Sequence, residues 1–69
     1  MERQELETAH GVWFVQFMGA MEGSDGQYYE RGPIWINPAR ITAFYDHTIL
    51  VDGYKIRVMD TEEEIVRRL

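Results

Sequence analysis

The chain has 69 residues, no cysteine and a net charge of −5, from seven basic and twelve acidic side chains. That is room for one domain, with no disulfide and no thiolate metal site to staple it. The bases are scattered over an acidic chain, which argues against a nucleic-acid binder, and no apolar run approaches the ~18 residues of a membrane span. Small folds without staples depend on rich packing or on a partner. The packing material is present: Trp13, Trp35, three phenylalanines and four tyrosines, in a chain that is 45% hydrophobic.

Residues 1–9 are polar and acidic, unlike a signal peptide, and read as a flexible tail or one loose helical turn ahead of a single domain over 10–69. A cytoplasmic address is expected. Residues 12–18 (VWFVQFM) are β-branched and aromatic and lie between Gly11 and Gly19, which predicts a strand. Trp13, Val15 and Phe17 take one face; Val12, Phe14 and Met18 take the other. A strand apolar on both faces is central, or is half-buried against another copy. Glu22, Gly23, Ser24, Asp25 and Gly26 form a turn cluster. Tyr28 and Tyr29 start a strand that Gly32-Pro33 interrupts, and Ile34, Trp35 and Ile36 resume it. Asn37-Pro38-Ala39-Arg40 predicts one helical turn, with asparagine as cap and proline where its missing N–H costs nothing. Residues 41–45 (ITAFY) form a further strand.

The strongest local signal is Asp52-Gly53 between two β runs, because a type I′ turn demands positive φ at both central residues. It fixes a register: Val51 faces Tyr54, Leu50 faces Lys55, Ile49 faces Ile56, Thr48 faces Arg57, and His47 faces Val58 at the open end. Ile49, Val51, Tyr54, Ile56 and Val58 then share an apolar face. Thr48, Leu50, Lys55 and Arg57 share a mostly polar one. Thr61 with Glu64 three residues on is a capping box opening a helix over 61–69. Its glutamates come first and its arginines last, as the helix dipole favours. So short a helix must dock, and the apolar hairpin face is its expected seat. The fold class is mainly β (α+β): a small curled antiparallel sheet of four or five strands with a short C-terminal helix packed on one face.

Motifs for catalysis are absent: there is no phosphate loop, zinc-protease motif or nucleophile elbow. Asp46 and His47, with His10 as a third ligand, are the residues from which a zinc site or small enzyme could be built. Their plainer role is entry to the hairpin. The reading from the residues is non-enzymatic, without cofactor. The candidate interface is Trp13, Phe14, Phe17, Met18 and Trp35, for a protein partner or a second copy.

Residues 34–41 (IWINPARI), 48–54 (TILVDGY), Val58 and 61–66 (TEEEIV) are similar to the FlbD/SwrD family of small flagellar and swarming-motility proteins. The likeness covers about half the chain. It implies the same strand, Asn-Pro turn, hairpin and glutamate-rich helix. It implies an adaptor role, motility-linked or derived from a phage or mobile element, and no active site. The first half departs from that pattern in its tail and in the long linker over 23–32. The hairpin followed by a capped helix also resembles part of a LytTR DNA-binding domain, which makes a nucleic-acid-binding regulator the alternative.

Overall fold

In the computed structural model, which describes residues 5–7, 11 and 13–69, the longest ladder grows from the predicted turn cluster. Strands β2 (Trp13–Glu22) and β3 (Tyr28–Ile36) run antiparallel on either side of it. Asp25 shapes the turn: Oδ1 accepts the Gln27 N–H at 3.0 Å, and Oδ2 accepts the Tyr29 hydroxyl.

Both strands are longer than the sequence suggests. Gly19 does not end β2, and Gly32-Pro33 does not interrupt β3. A bulge absorbs both: Gly19 faces Gly32, Ala20 faces Glu30, and Arg31 is the extra residue. Gly32 has φ +123°, a conformation that only glycine adopts without strain. A Cβ on Gly19 would sit 2.9 Å from the Gly32 carbonyl oxygen. Pro33 is tolerated because β3 is an edge strand of its sheet.

Strand β1 (Glu5–Glu7) pairs antiparallel with residues 13–15 of β2. Three residues of the expected tail are therefore a strand. The remainder of that tail, together with His10 and Val12, lies outside the described residues.

The second half follows its local signals closely. Asn37 Oδ1 accepts the Ala39 N–H at 3.0 Å and opens a 3-10 turn over Pro38–Arg40. Strands β4 (Ile41–Tyr45), β5 (Thr48–Val51) and β6 (Tyr54–Arg57) form a meander. Asp52 and Gly53 turn with φ 51° and 83°, and the β5–β6 register is the one expected from Asp-Gly. Burial departs from expectation at two positions. Tyr54, assigned to the apolar face, is 76% exposed because it stands at the turn, beyond the core. Thr48, assigned to the polar face, is fully buried, and its Oγ1 accepts a bond from Arg57 Nη1 at 2.9 Å.

The structure has two three-stranded antiparallel sheets, β1-β2-β3 and β4-β5-β6, instead of one sheet of four or five strands. They are stitched along β2. Gly19 bridges Val58, which follows β6, and the Met59 N–H donates to the Met18 carbonyl at 2.8 Å. β2 is long enough to pair with β1 near its start and with this segment further along.

Helix α1 (Glu62–Arg68) closes the chain with the predicted capping box between Thr61 and Glu64. Ile65 is its one fully buried side chain. It completes a core made of Val15, Phe17, Ile36, Ile49 and Val58. Burying a side chain of this size contributes roughly 1.5–3 kcal/mol, which is what fixes a seven-residue helix that could not hold alone.

Candidate functional site

Asp46 and His47 do not stand at an open hairpin end. They are the two-residue turn between β4 and β5, since Tyr45 pairs with Thr48. His47 has φ 60°. Its N–H donates to the Asp60 carbonyl at 3.1 Å, and its own carbonyl accepts the Val58 N–H at 3.1 Å. The ring Nδ1 lies 3.3 Å from the Val58 carbonyl oxygen, so Nδ1–H donates there, and the ring leans on Tyr28 at 4.8 Å between centroids. Asp46 Oδ1 accepts the Glu62 N–H at 2.7 Å, satisfying an orphan donor of α1. Both side chains hold the turn to its surroundings. Among the described residues no three histidine, aspartate or glutamate side chains gather as a metal would need, and His10 lies outside those residues.

The polar centre that sequence reasoning missed is Asp60, only 3% exposed. Its Oδ2 accepts Arg68 Nε at 2.6 Å and its Oδ1 accepts the Met18 N–H at 3.2 Å. Arg68 also reaches the Gln16 carbonyl at 3.5 Å. One carboxylate thus ties the end of α1 to the middle of β2. The available signal was spacing: Asp60 and Arg68 are eight apart, about two helical turns, so the arginine returns to the side from which the helix starts.

The expected interface residues divide by strand alternation. Val15 and Phe17 point to the core, and Phe17, at 1% exposure, is a core residue and no surface anchor. Phe14, Gln16 and Met18 point the other way. Across the ladder Trp35 faces Gln16 and Pro33 faces Met18. Trp35 is 41% exposed; Phe14 and Met18 are half-buried. Phe14, Met18 and Trp35 therefore share one outer face of β2 and β3; at its Met18 end lies a hollow that Met59, Glu30, Asp60, Glu64 and Arg68 also line. Trp13 alternates with Val15 onto the core side, where it is the exposed end of the row.

A second surface lies against the bulge. There β2 supplies Gly19, β3 supplies Arg31 and Gly32, and β6 supplies Lys55, Ile56 and Arg57 around a cleft of about 460 Å³. These three basic residues are scattered in the sequence; the fold brings them to one cleft beside the bulge.

The fold is a small α+β domain, mostly antiparallel β, with one short C-terminal helix. Comparison with protein-family models, with curated proteins and with solved structures finds no match.

Proposed function

We propose that this chain is a small, non-enzymatic interaction module that pairs with a second copy of itself through the outer face of β2 and β3. The observation that carries this is a strip of uncharged side chains on an acidic chain, bordered by charged residues at its Met18 end. Phe14, Gln16, Met18, Pro33 and Trp35 lie together on a chain of net charge −5. The open face of a small antiparallel sheet is ordinarily polar. Tryptophan, phenylalanine and methionine are enriched where proteins meet. Two acidic copies repel over most of their surface, so contact through uncharged side chains carries the least electrostatic cost. A stable pair needs about 800 Å² from each partner, which this face and its rim would have to supply. The motility setting implied by the FlbD/SwrD-like second half belongs to the same proposal.

Sedimentation equilibrium tests it. The expected result is a dimer at about 100 µM. Trp35→Asp returns the monomer with an unchanged circular dichroism spectrum. Tyr54→Asp, on the other sheet, leaves the dimer intact. A wild-type chain that stays monomeric, or a dimer indifferent to Trp35→Asp, overturns the proposal.

A further inference from the structure

Apart from Arg3, every lysine and arginine of this protein is among the described residues. Three of them hold carboxylates: Arg40 with Asp52 at 2.7 Å, Arg67 with Glu63 at 3.3 Å, and Arg68 with Asp60 at 2.6 Å. The other three, Arg31, Lys55 and Arg57, pair with no described carboxylate. These same three line the cleft at the bulge, and none of its lining residues is acidic. In a chain with twelve acidic side chains, convergence of the unpaired cations on one concavity is not what an indifferent surface gives.

We propose that this cleft binds an oxyanion of the phosphate class, as the free ion or as a small monoester. Lys55 and Arg57 are two residues apart on β6, so both project from one side of the strand, about 6–7 Å apart along it. Arg31 enters from β3 because it is the bulged residue. Cationic donors from two strands therefore line one concavity. Arg57 is already held, since its Nη1 donates to the buried Thr48 hydroxyl at 2.9 Å. A guanidinium carries five N–H donors, so most remain for a ligand, and less entropy is lost on binding. Gly32 puts no side chain into the cleft, and nothing lies within 4 Å of where its Cβ would stand, which lets a small ion approach the backbone there. Ile34 and Ile56 also line the cleft, and both pack back against the core, so part of its boundary is apolar. The volume of about 460 Å³ exceeds what one bare anion needs and lies in the range of small-molecule sites, which leaves room for the organic part of a monoester. The cleft shares Pro33 with the outer face but none of its aromatic side chains, so this site stands or falls apart from self-association.

The test is a titration of the full chain with sodium phosphate, and separately with phenyl phosphate, at constant ionic strength. Amide and arginine Nε–H resonances are followed by NMR. The expected result is saturable shifts at Arg31, Lys55, Arg57 and the bulge, with Kd at or below about 1 mM for one of the two probes. The tighter probe tells free ion from monoester. Lys55→Gln weakens binding about tenfold or more, as loss of one charge-assisted contact should. Lys55 is exposed, so this variant keeps the fold even if Arg57→Gln does not. Arg40→Gln makes the same change in net charge away from the cleft and leaves binding unchanged. Shifts that do not saturate by about 20 mM, or equal weakening by Arg40→Gln and Lys55→Gln, overturn the proposal. So does binding of a single-stranded oligonucleotide that neither phosphate probe displaces.

Discussion

Replacing Asp60 by alanine removes one side chain and undoes two contacts, one to the helix end and one to a strand forty-two residues away. The carboxylate is 3% exposed, takes Arg68 Nε at 2.6 Å, and satisfies the Met18 N–H at 3.2 Å. A hydrogen bond to a charged group contributes about 1.5–3 kcal/mol net, and a buried donor left unpaired costs about 1–3 kcal/mol. Arg68 is 17% exposed at its side chain and can partly rehydrate, so the sum is discounted to about 3 kcal/mol. A domain of this size has roughly 3–10 kcal/mol in total. Asp60→Ala should therefore lower the melting temperature by roughly 12–24 °C, at about 4–8 °C per kcal/mol. Asp60→Asn keeps an acceptor for Met18 and loses the charge, so it should cost about half as much. Urea denaturation of the two variants, with Arg68→Met and the double mutant Asp60→Asn/Arg68→Met, gives the pair's coupling energy directly. A cost below about 0.5 kcal/mol for Asp60→Ala, or equal costs for the alanine and asparagine variants, would refute the role assigned to this carboxylate.

Gly19→Ala places a Cβ 2.9 Å from the Gly32 carbonyl oxygen and 3.3 Å from Ile34 Cγ2, so it should destabilise by about 1–3 kcal/mol in the same urea assay. Gly53→Ala meets open space but holds φ +83°, and should cost about 1 kcal/mol through backbone strain alone. The Glu64 carboxyl is held below its ordinary value of 4.5, first by the Thr61 N–H and then by the Thr61 hydroxyl. The Asp25 carboxyl is held below 3.8 by the Tyr29 hydroxyl and then by the Gln27 N–H. A depressed folded pKa gives stability that is complete above the unfolded value and lost as pH falls through the folded one. Thermal melts should therefore drop below about pH 4.5, and Glu64→Gln should make that drop shallower; identical pH profiles would contradict the capping contact. Tyr29 is raised above 10.0 by the same Asp25 contact, so Tyr29→Phe should return the Asp25 titration, read by NMR, toward its usual range.

Elements whose signals are local could be read from the sequence. Asp52-Gly53 fixed its own register because the turn needs positive φ at both positions. Thr61 with Glu64, and Asn37 with Pro38, satisfy their own backbone groups within a few residues. The errors arose where a partner distant in sequence decides. Gly32-Pro33 reads as a breaker, yet opposite Gly19 the same residues form a bulge inside a continuous strand. Phe17 and Phe14 are equally apolar in sequence; only the positions of the second sheet and the helix say which face of β2 is covered. Thr48 can be buried because Arg57 satisfies its hydroxyl, a pairing that composition alone does not show. Asp60 bonds the Met18 N–H forty-two residues away, so its spacing from Arg68 hints at the ion pair but not at the strand to which it ties the helix. The cationic cleft was hidden for the same reason, since Arg31 joins Lys55 and Arg57 only through the bulge and the curl of β2.

The claim that β2 and β3 present a self-association face is tested most directly by a dilution series of amide and indole NMR spectra. Between about 1 mM and 10 µM, the Trp35 indole and the amides of Phe14, Gln16 and Met18 should shift together, while Arg40, Asp52 and Tyr54 stay fixed. Spectra that do not change over that range, or changes confined to the second sheet, would contradict it.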